Sequence, residues 1–384
     1  MVDLGLLSLL DMLPNPLTGA LPTVACRYQD LVRMAVRAEQ AGFCALGVGE
    51  HHFSHYALPS PFLVLSHTAA ATSTIQLGTS VTLLANADPV RIAEDLATLD
   101  VLSNGRAEAT FARGVDVNTM TAFGIDSIDE LRPRFEEHLR LVLRLLTEDQ
   151  VTWTGHYRAP LNKVHLEPRP VQQPHPRINI GGGLSTVSAD LAADLGLPFV
   201  LPSLFRFPED YREIVGRYRQ RMIDNGFADK VSVTFPCYLH VAPTTQQATR
   251  RWRPYFENYV EFAAMVRSAG ARGFEFDTLV RGPAVCGSPA EAVDRLAGMA
   301  ELLGLDRLLV LIDAGGIPVE VVDEVIELVG TDVLPHLNGS PRSPRSARPA
   351  RAVGSAEFQG PAQVSSGAGP DESEQRRSQL GPLP

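Results

Sequence analysis

Glu50-His51-His52-Phe53 directly follows the apolar run Phe43-Cys44-Ala45-Leu46-Gly47-Val48-Gly49. A carboxylate and two imidazoles at the end of a strand stand on one rim of a sheet, where α/β enzymes do their chemistry. Imidazole titrates near neutral pH, so proton transfer is the first candidate role. Metal ligation is the second, because neutral imidazole and carboxylate are zinc ligands and His55 lies nearby. His51 and His55 would share a face only in a helix, and Pro59 and Pro61 argue for a loop. No second cluster with ligand spacing accompanies them, so no metal site is expected. The bland alternative, a histidine that satisfies backbone groups at the strand end, fits one of the two.

Three further stretches suit an anion or a close backbone approach. Gly181-Gly182-Gly183-Leu184-Ser185-Thr186-Val187-Ser188 lies between a strand-like run and a helical pattern. Its glycines let the backbone approach a ligand, and a helix N-terminus there offers N–H groups and a favourable dipole. Ser185 and Ser188 add hydroxyls. The stretch matches neither the dinucleotide fingerprint nor a Walker loop, and an ordinary capped turn is an equal alternative to phosphate binding. Arg113-Gly114 ends the run Ala107–Ala112; an arginine there suits a phosphate, or a rim salt bridge. Gly78, inside Leu77-Gly78-Thr79-Ser80-Val81, marks a close approach or a kink in a buried strand.

Positioning these groups takes a regular frame. Short apolar runs at Leu4–Leu10, Phe43–Gly49, Ile75–Leu84, Ala107–Ala112, Ile178–Gly181, Phe199–Leu201, Val231–Val241 and Leu308–Ile312 alternate with helical patterns. The helices include one that ends at Gly42, Pro61–Ala71, Pro89–Leu102, Ile128–Leu146 and Thr186–Leu195. Such alternation means parallel strands with helical crossovers, and eight units suggest a closed barrel over an open sheet. Two irregular stretches, Trp153–Pro176 and Thr244–Gly287, are expected over the barrel mouth.

The 384 residues carry a formal net charge of −10 and 45% hydrophobic residues. The charge argues against nucleic acid as a partner, and no run of ~18 apolar residues suggests a membrane span. Met1-Val2-Asp3-Leu4 lacks a basic leader region, so a signal peptide is not expected. Four scattered cysteines without a Cys-x-x-Cys pair fit reduced thiols in the cytoplasm. From Gly339 the composition turns to Ser, Pro, Gly, Ala and Arg, with Phe358 the only aromatic. We expect residues 1–338 to form the folded domain and 339–384 a disordered tail. The tail holds six arginines against four acids, which leaves −12 on the remainder.

In order and spacing, these pieces resemble the bacterial luciferase-like flavin-dependent monooxygenases. The similar stretches run from Leu4 to about Leu337 and include Gly49-Glu50-His51-His52-Phe53, Ile75–Thr79, Asp88-Pro89-Val90-Arg91, Leu96–Arg106, Arg113-Gly114, Ala122-Phe123-Gly124, Arg134-Phe135-Glu136-Glu137, Pro168–Gln172, the Gly181 turn and Gly287–Glu291. The resemblance implies a TIM (β/α)8 barrel that binds reduced FMN at the carboxyl ends of its strands and oxygenates a small organic substrate with molecular oxygen, through a flavin hydroperoxide. It implies His51 as the catalytic histidine, with Glu50 orienting the imidazole and His52 structural. It implies a cofactor site of Thr79, Ser80, Val81, Arg113, Gly182, Gly183, Ser185 and Ser188, with a non-proline cis bond at Ser80-Val81. A separate NAD(P)H-dependent flavin reductase is the expected partner, and a homodimer the expected assembly. Ala112 stands where luciferase has a reactive cysteine and Leu184 where it has a glutamate, so the light-emitting subunit itself is not the match. A deazaflavin-dependent oxidoreductase of the same superfamily, a non-catalytic flavin-binding relative and a metal hydrolase on the same barrel are the alternatives.

Overall fold

The apolar runs become the staves of a barrel. The computed structural model describes residues 2–183, 185–201, 204–266 and 275–337. Its strands are β1 (Asp3–Ser8), β2 (Ala45–Val48), β3 (Gln76–Leu83), β4 (Ala107–Ala112), β5 (Val151–Trp153), β6 (Leu161–Val164), β7 (Arg177–Gly181), β8 (Phe199–Val200), β9 (Val233–Val241), β10 (Ala284–Gly287) and β11 (Arg307–Leu311). Parallel pairing runs β1-β2-β3-β4-β7-β8-β9-β11, and β11 returns to β1 with Leu308 opposite Leu4. The eight staves are the eight runs expected from the sequence, and their closure is what periodicity alone left open. Parallel strands need long crossovers, which places helices outside and buries both faces of each strand.

The helices show why these segments serve as crossovers. Val24–Ala41 buries Leu31, Met34, Ala35 and Ala38 along one stripe. Pro89–Leu102 starts at a proline behind Asp88, whose carboxylate accepts the N–H groups of Val90 and Arg91. Leu131–Thr147 buries Phe135, Leu139, Val142 and Leu146. A single 3₁₀ turn, Ile128–Glu130, precedes it.

Inside the barrel the amino-terminal end is plugged by charge. Arg307 on β11 reaches across to Glu108 on β4, a strand that is not its neighbour, at 2.7 Å, and Arg177 on β7 stands 3.8 Å from the same carboxylate. Burial alone would raise the Glu108 pKa, but the two guanidiniums hold it below the usual range. Gly78 is explained here: a Cβ at that position would lie 2.5 Å from Glu108 Cγ, so the glycine of β3 makes room for the plug.

The two irregular stretches part company. Trp153–Pro176 precedes a strand, so it does not cover the carboxyl-end mouth as expected from the sequence. It forms the β5-β6 hairpin on the outer wall, with Arg144 over the Trp153 ring. The stretch then returns to the amino end, where Gln172 binds Asp100 and the Ala107 carbonyl. The stretch after β9 does follow a carboxyl end. Its helix Thr245–Val266 crosses the loops after β1 and β11, with Asn258 Nδ2 donating 3.0 Å bonds to the carbonyls of Pro14 and Gly315. Gly315 has φ +88°, and a Cβ there would overlap the Tyr255 carbonyl, so only glycine admits this helix so close. Strand β10 then pairs in parallel with the upper half of β9. The expected tail at 339–384 and residues 267–274 of this stretch lie outside the described residues.

Candidate functional site

The carboxyl ends of β3, β4 and β7 converge. A Cβ on Gly181 would stand 3.1 Å from Val81 Cγ1 and 3.4 Å from Ala112 Cβ. The Ser80-Val81 peptide is cis, and the β3-β4 register shifts between Ser80 and Thr82. Gly182 is held against the next helix: an added Cβ would meet Ser188 Cβ at 2.5 Å and the Phe199 ring at 2.7 Å. Gly183 faces open space. Ser185 caps the helix Thr186–Asp194 by accepting the Val187 N–H; a hydroxyl that accepts one bond can donate another.

Arg113 stands one residue beyond β4, half-buried. Among the described residues no carboxylate pairs with it. Burial and the Arg132 guanidinium together lower its pKa. Arg132 in turn has a buried Nη1 with no hydrogen-bond partner, and its carboxylate neighbour Glu136 is 3.9 Å away. Two guanidiniums that repel each other, next to a glycine turn and a helix N-terminus, have the chemistry to hold an anion.

Across the rim, the second strand delivers Glu50, His51 and His52. The Glu50 N–H donates to the Val81 carbonyl at 3.0 Å, which ties this loop to the cis peptide. Its carboxylate is divided: Oε1 lies 2.7 Å from His52 Nε2, and Oε2 accepts the Leu83 N–H at 3.0 Å. Glu50 therefore orients His52, not His51 as expected, because the ring two residues on shares its side of the extended chain. The His52 ring packs edge-on against Phe123 at 4.9 Å. His51 is partly exposed and stacks on Tyr56, with centroids 4.0 Å apart and planes at 17°. Among the described residues, no group of three or more His, Cys, Asp or Glu side chains is arranged to hold a metal ion.

The chain also matches known proteins. A model of the luciferase-like monooxygenase family covers residues 8–307. The chain belongs to that family. The protein y4vJ of Sinorhizobium fredii is 36% identical over 159 residues, 41% of this chain; the chain spans 45% of that relative's length. The alkanal monooxygenase alpha chain of Photorhabdus luminescens is 24% identical over 82% of this chain and 93% of its own. An F420-dependent glucose-6-phosphate dehydrogenase of Kineococcus radiotolerans is 36% identical over 40% of this chain and 47% of its own. Among solved structures, the monooxygenase RslO1 of Streptomyces bottropensis superposes with a TM-score of 0.79 at 27% identity, over 87% of this chain and 99% of that one.

Of the residues expected for a luciferase-like cofactor site, Ser80, Val81, Arg113, Gly182, Gly183, Ser185 and Ser188 share one arc of the rim. Thr79 does not join them. It is buried, and its hydroxyl bonds the Thr110 N–H and carbonyl, because alternation along β3 turns it to the side opposite Ser80. Sequence reasoning missed Arg132, Tyr56, Tyr259 and Asp11. Arg132-Pro133-Arg134 at a helix start was a readable signal. The other three meet only through the fold.

Proposed function

We propose that this chain is an oxidoreductase that binds reduced FMN along the Val81–Arg113–Gly182 arc and uses molecular oxygen to oxygenate a small organic substrate beside His51. The observation that carries the reading is Arg113, without a carboxylate partner among the described residues, set beside Arg132 on the same rim as the Glu50–His52 loop. The residues fit the group. The Arg113 guanidinium, the neighbouring Arg132 with its loosely held Nη1, a glycine turn with open space at Gly183 and a helix N-terminus suit a phosphate. Arg113, Arg132, Ser185 and the Gly182-Gly183 backbone would hold that phosphate, while Ser80 and Val81 would support the ring. When bound, reduced FMN supplies the two electrons that let one oxygen atom enter the substrate and the other leave as water.

The chain's own part is to bind, orient and handle protons. His51, steadied on Tyr56, exchanges a proton at its ring nitrogen with substrate. Glu50 and His52 fix the loop that carries it, and Phe123 shields that pair from water. A separate NAD(P)H-dependent reductase supplies the reduced cofactor. The test is the reoxidation of reduced FMN in air with excess protein. Retarded reoxidation that is lost on adding inorganic phosphate supports the reading; reoxidation at the free-flavin rate refutes it. The F420-dependent relative motivates a second reading, hydride transfer with a deazaflavin. Parallel titrations decide, since tighter binding of the deazaflavin would replace FMN in the proposal.

A further inference from the structure

Beyond the arc assigned to the flavin, a second set of groups gathers behind His51. The loops after β1 and β2 are joined by an antiparallel bridge between Asp11 and Tyr56, with Met12 N–H on the His55 carbonyl and Ala57 N–H on the Leu10 carbonyl. Bridged residues project to the same side. The Tyr56 hydroxyl lies 3.2 Å from the Tyr259 hydroxyl, which the helix Thr245–Val266 brings over the rim. Aromatic faces surround this pair. Tyr56 lies 5.3 Å from Phe262, and Phe205 is parallel to Tyr259 within 7°. Tyr259 is 2% exposed, whereas Tyr56 and His51 are partly open to solvent.

The charge behind the pair is negative. Asp11 is fully buried; its Oδ2 accepts the Gly315 N–H, and its Oδ1 has no partner among the described residues. Arg27, the cation packed here, is engaged with Asp313 at 3.1 Å, with the Asp11 carbonyl at 3.2 Å and, more distantly, with Asp30. Ser8 donates to Asp313 as well. Asp11 therefore has no guanidinium on its carboxylate. Burial above all, then the neighbouring phenols Tyr56 and Tyr238 and last the Asp11 charge, hold the Tyr259 hydroxyl protonated. An anionic ligand would be repelled here, while a neutral oxygen would meet a hydroxyl donor flanked by flat rings.

We propose that the Tyr56–Tyr259 hydroxyl pair orients the substrate, and that it selects an uncharged, flat ligand whose carbonyl or hydroxyl oxygen binds Tyr56 beside His51. Tyr56 is the residue that touches ligand; Tyr259 is a positioning residue that acts through it, and Asp11 enforces neutrality. The inference rests on the oxygenase reading only in taking this rim as the ligand site.

The test uses the full chain and 4-nitrophenol, whose anion is yellow and whose neutral form is not. At mildly alkaline pH, where Asp11 is ionised, the bound probe is expected to lose its phenolate colour, and benzoate is expected not to compete. Tyr56→Phe and Tyr259→Phe should each weaken the probe about ten-fold, the loss of one hydrogen bond, with FMN affinity retained. Asp11→Asn should let the bound probe keep part of its colour. Benzoate binding as tightly as the probe to the unaltered chain overturns the proposal without recourse to any variant. So does unchanged probe affinity in both hydroxyl variants. A chain that binds the probe as expected but leaves reduced FMN to reoxidise freely would refute the oxygenase reading alone. Retarded reoxidation with equal binding of probe and benzoate would refute this inference alone.

Discussion

Replacing Arg113 by alanine should weaken FMN far more than riboflavin, without destabilising the protein. Arg113 is half-buried, so its bond to a phosphate lies between an exposed ion pair, worth up to ~1 kcal/mol, and a buried one, worth ~3–5 kcal/mol when one partner is removed. A loss of about 2 kcal/mol follows, or roughly thirty-fold in Kd. Riboflavin lacks the phosphate and should change by less than about two-fold. The flavin-free chain should keep its stability within about 0.5 kcal/mol, because Arg113 has no carboxylate partner among the described residues and is repelled by Arg132. Arg132→Ala should cost FMN binding too, and the double variant less than the sum, since one phosphate serves both cations. Fluorescence titration with the two flavins and urea unfolding of the flavin-free variants measure this. Equal losses for FMN and riboflavin, or a flavin-free chain weakened by more than about 1 kcal/mol, would mean that Arg113 is structural and would sink the phosphate assignment.

Other perturbations reach different layers. Glu108→Gln leaves Arg307 and Arg177 buried without a counter-charge and should destabilise by about 3–5 kcal/mol in urea unfolding; the native plug also loses strength as pH falls through the depressed Glu108 pKa, and the variant should lack that acid-side loss. Gly182→Ala drives a methyl into Ser188 and Phe199 and should cost about 1–3 kcal/mol, with a concurrent drop in FMN affinity by titration. Burial, only partly offset by Arg27 and reinforced by Asp313, raises Asp11 to about 6. The folded chain thus holds this proton longer than the unfolded one, and stability falls as pH rises from ~4 to about 6. Asp11→Asn should flatten that part of the stability profile in thermal melts against pH, and an unaltered profile would show that Asp11 is not the group responsible.

Several features were legible in the residues because they are local. Pro89 with Asp88 states where a helix begins, and a short continuous apolar run such as Leu308–Leu311 reads as a strand buried on both faces. Strand ends then place Glu50, Arg113 and Gly182 on one rim, since parallel strands share a direction. Thr79 departs from the expected arc because alternation sends neighbouring side chains of a strand to opposite sides. The hairpin of β5 and β6 was misplaced because composition marks a segment as irregular and says nothing about which end of the barrel it covers.

By itself, then, the sequence determined the order of strands and helices, the rim on which Glu50, Arg113 and the Gly181 turn stand, and the residue types that make an anion site a candidate there. Those follow from periodicity, caps and residue type within a few positions of each other. Tertiary structure alone decided which partner each group takes. Glu50 chooses His52 because an extended chain brings that ring back to it, and Arg132 couples to Arg113 only where a helix start meets a strand end. Asp11, Tyr56 and Tyr259 come from three segments up to 248 positions apart, joined by a bridge and an overlying helix. Contacts of that separation depend on barrel closure, which no local pattern encodes.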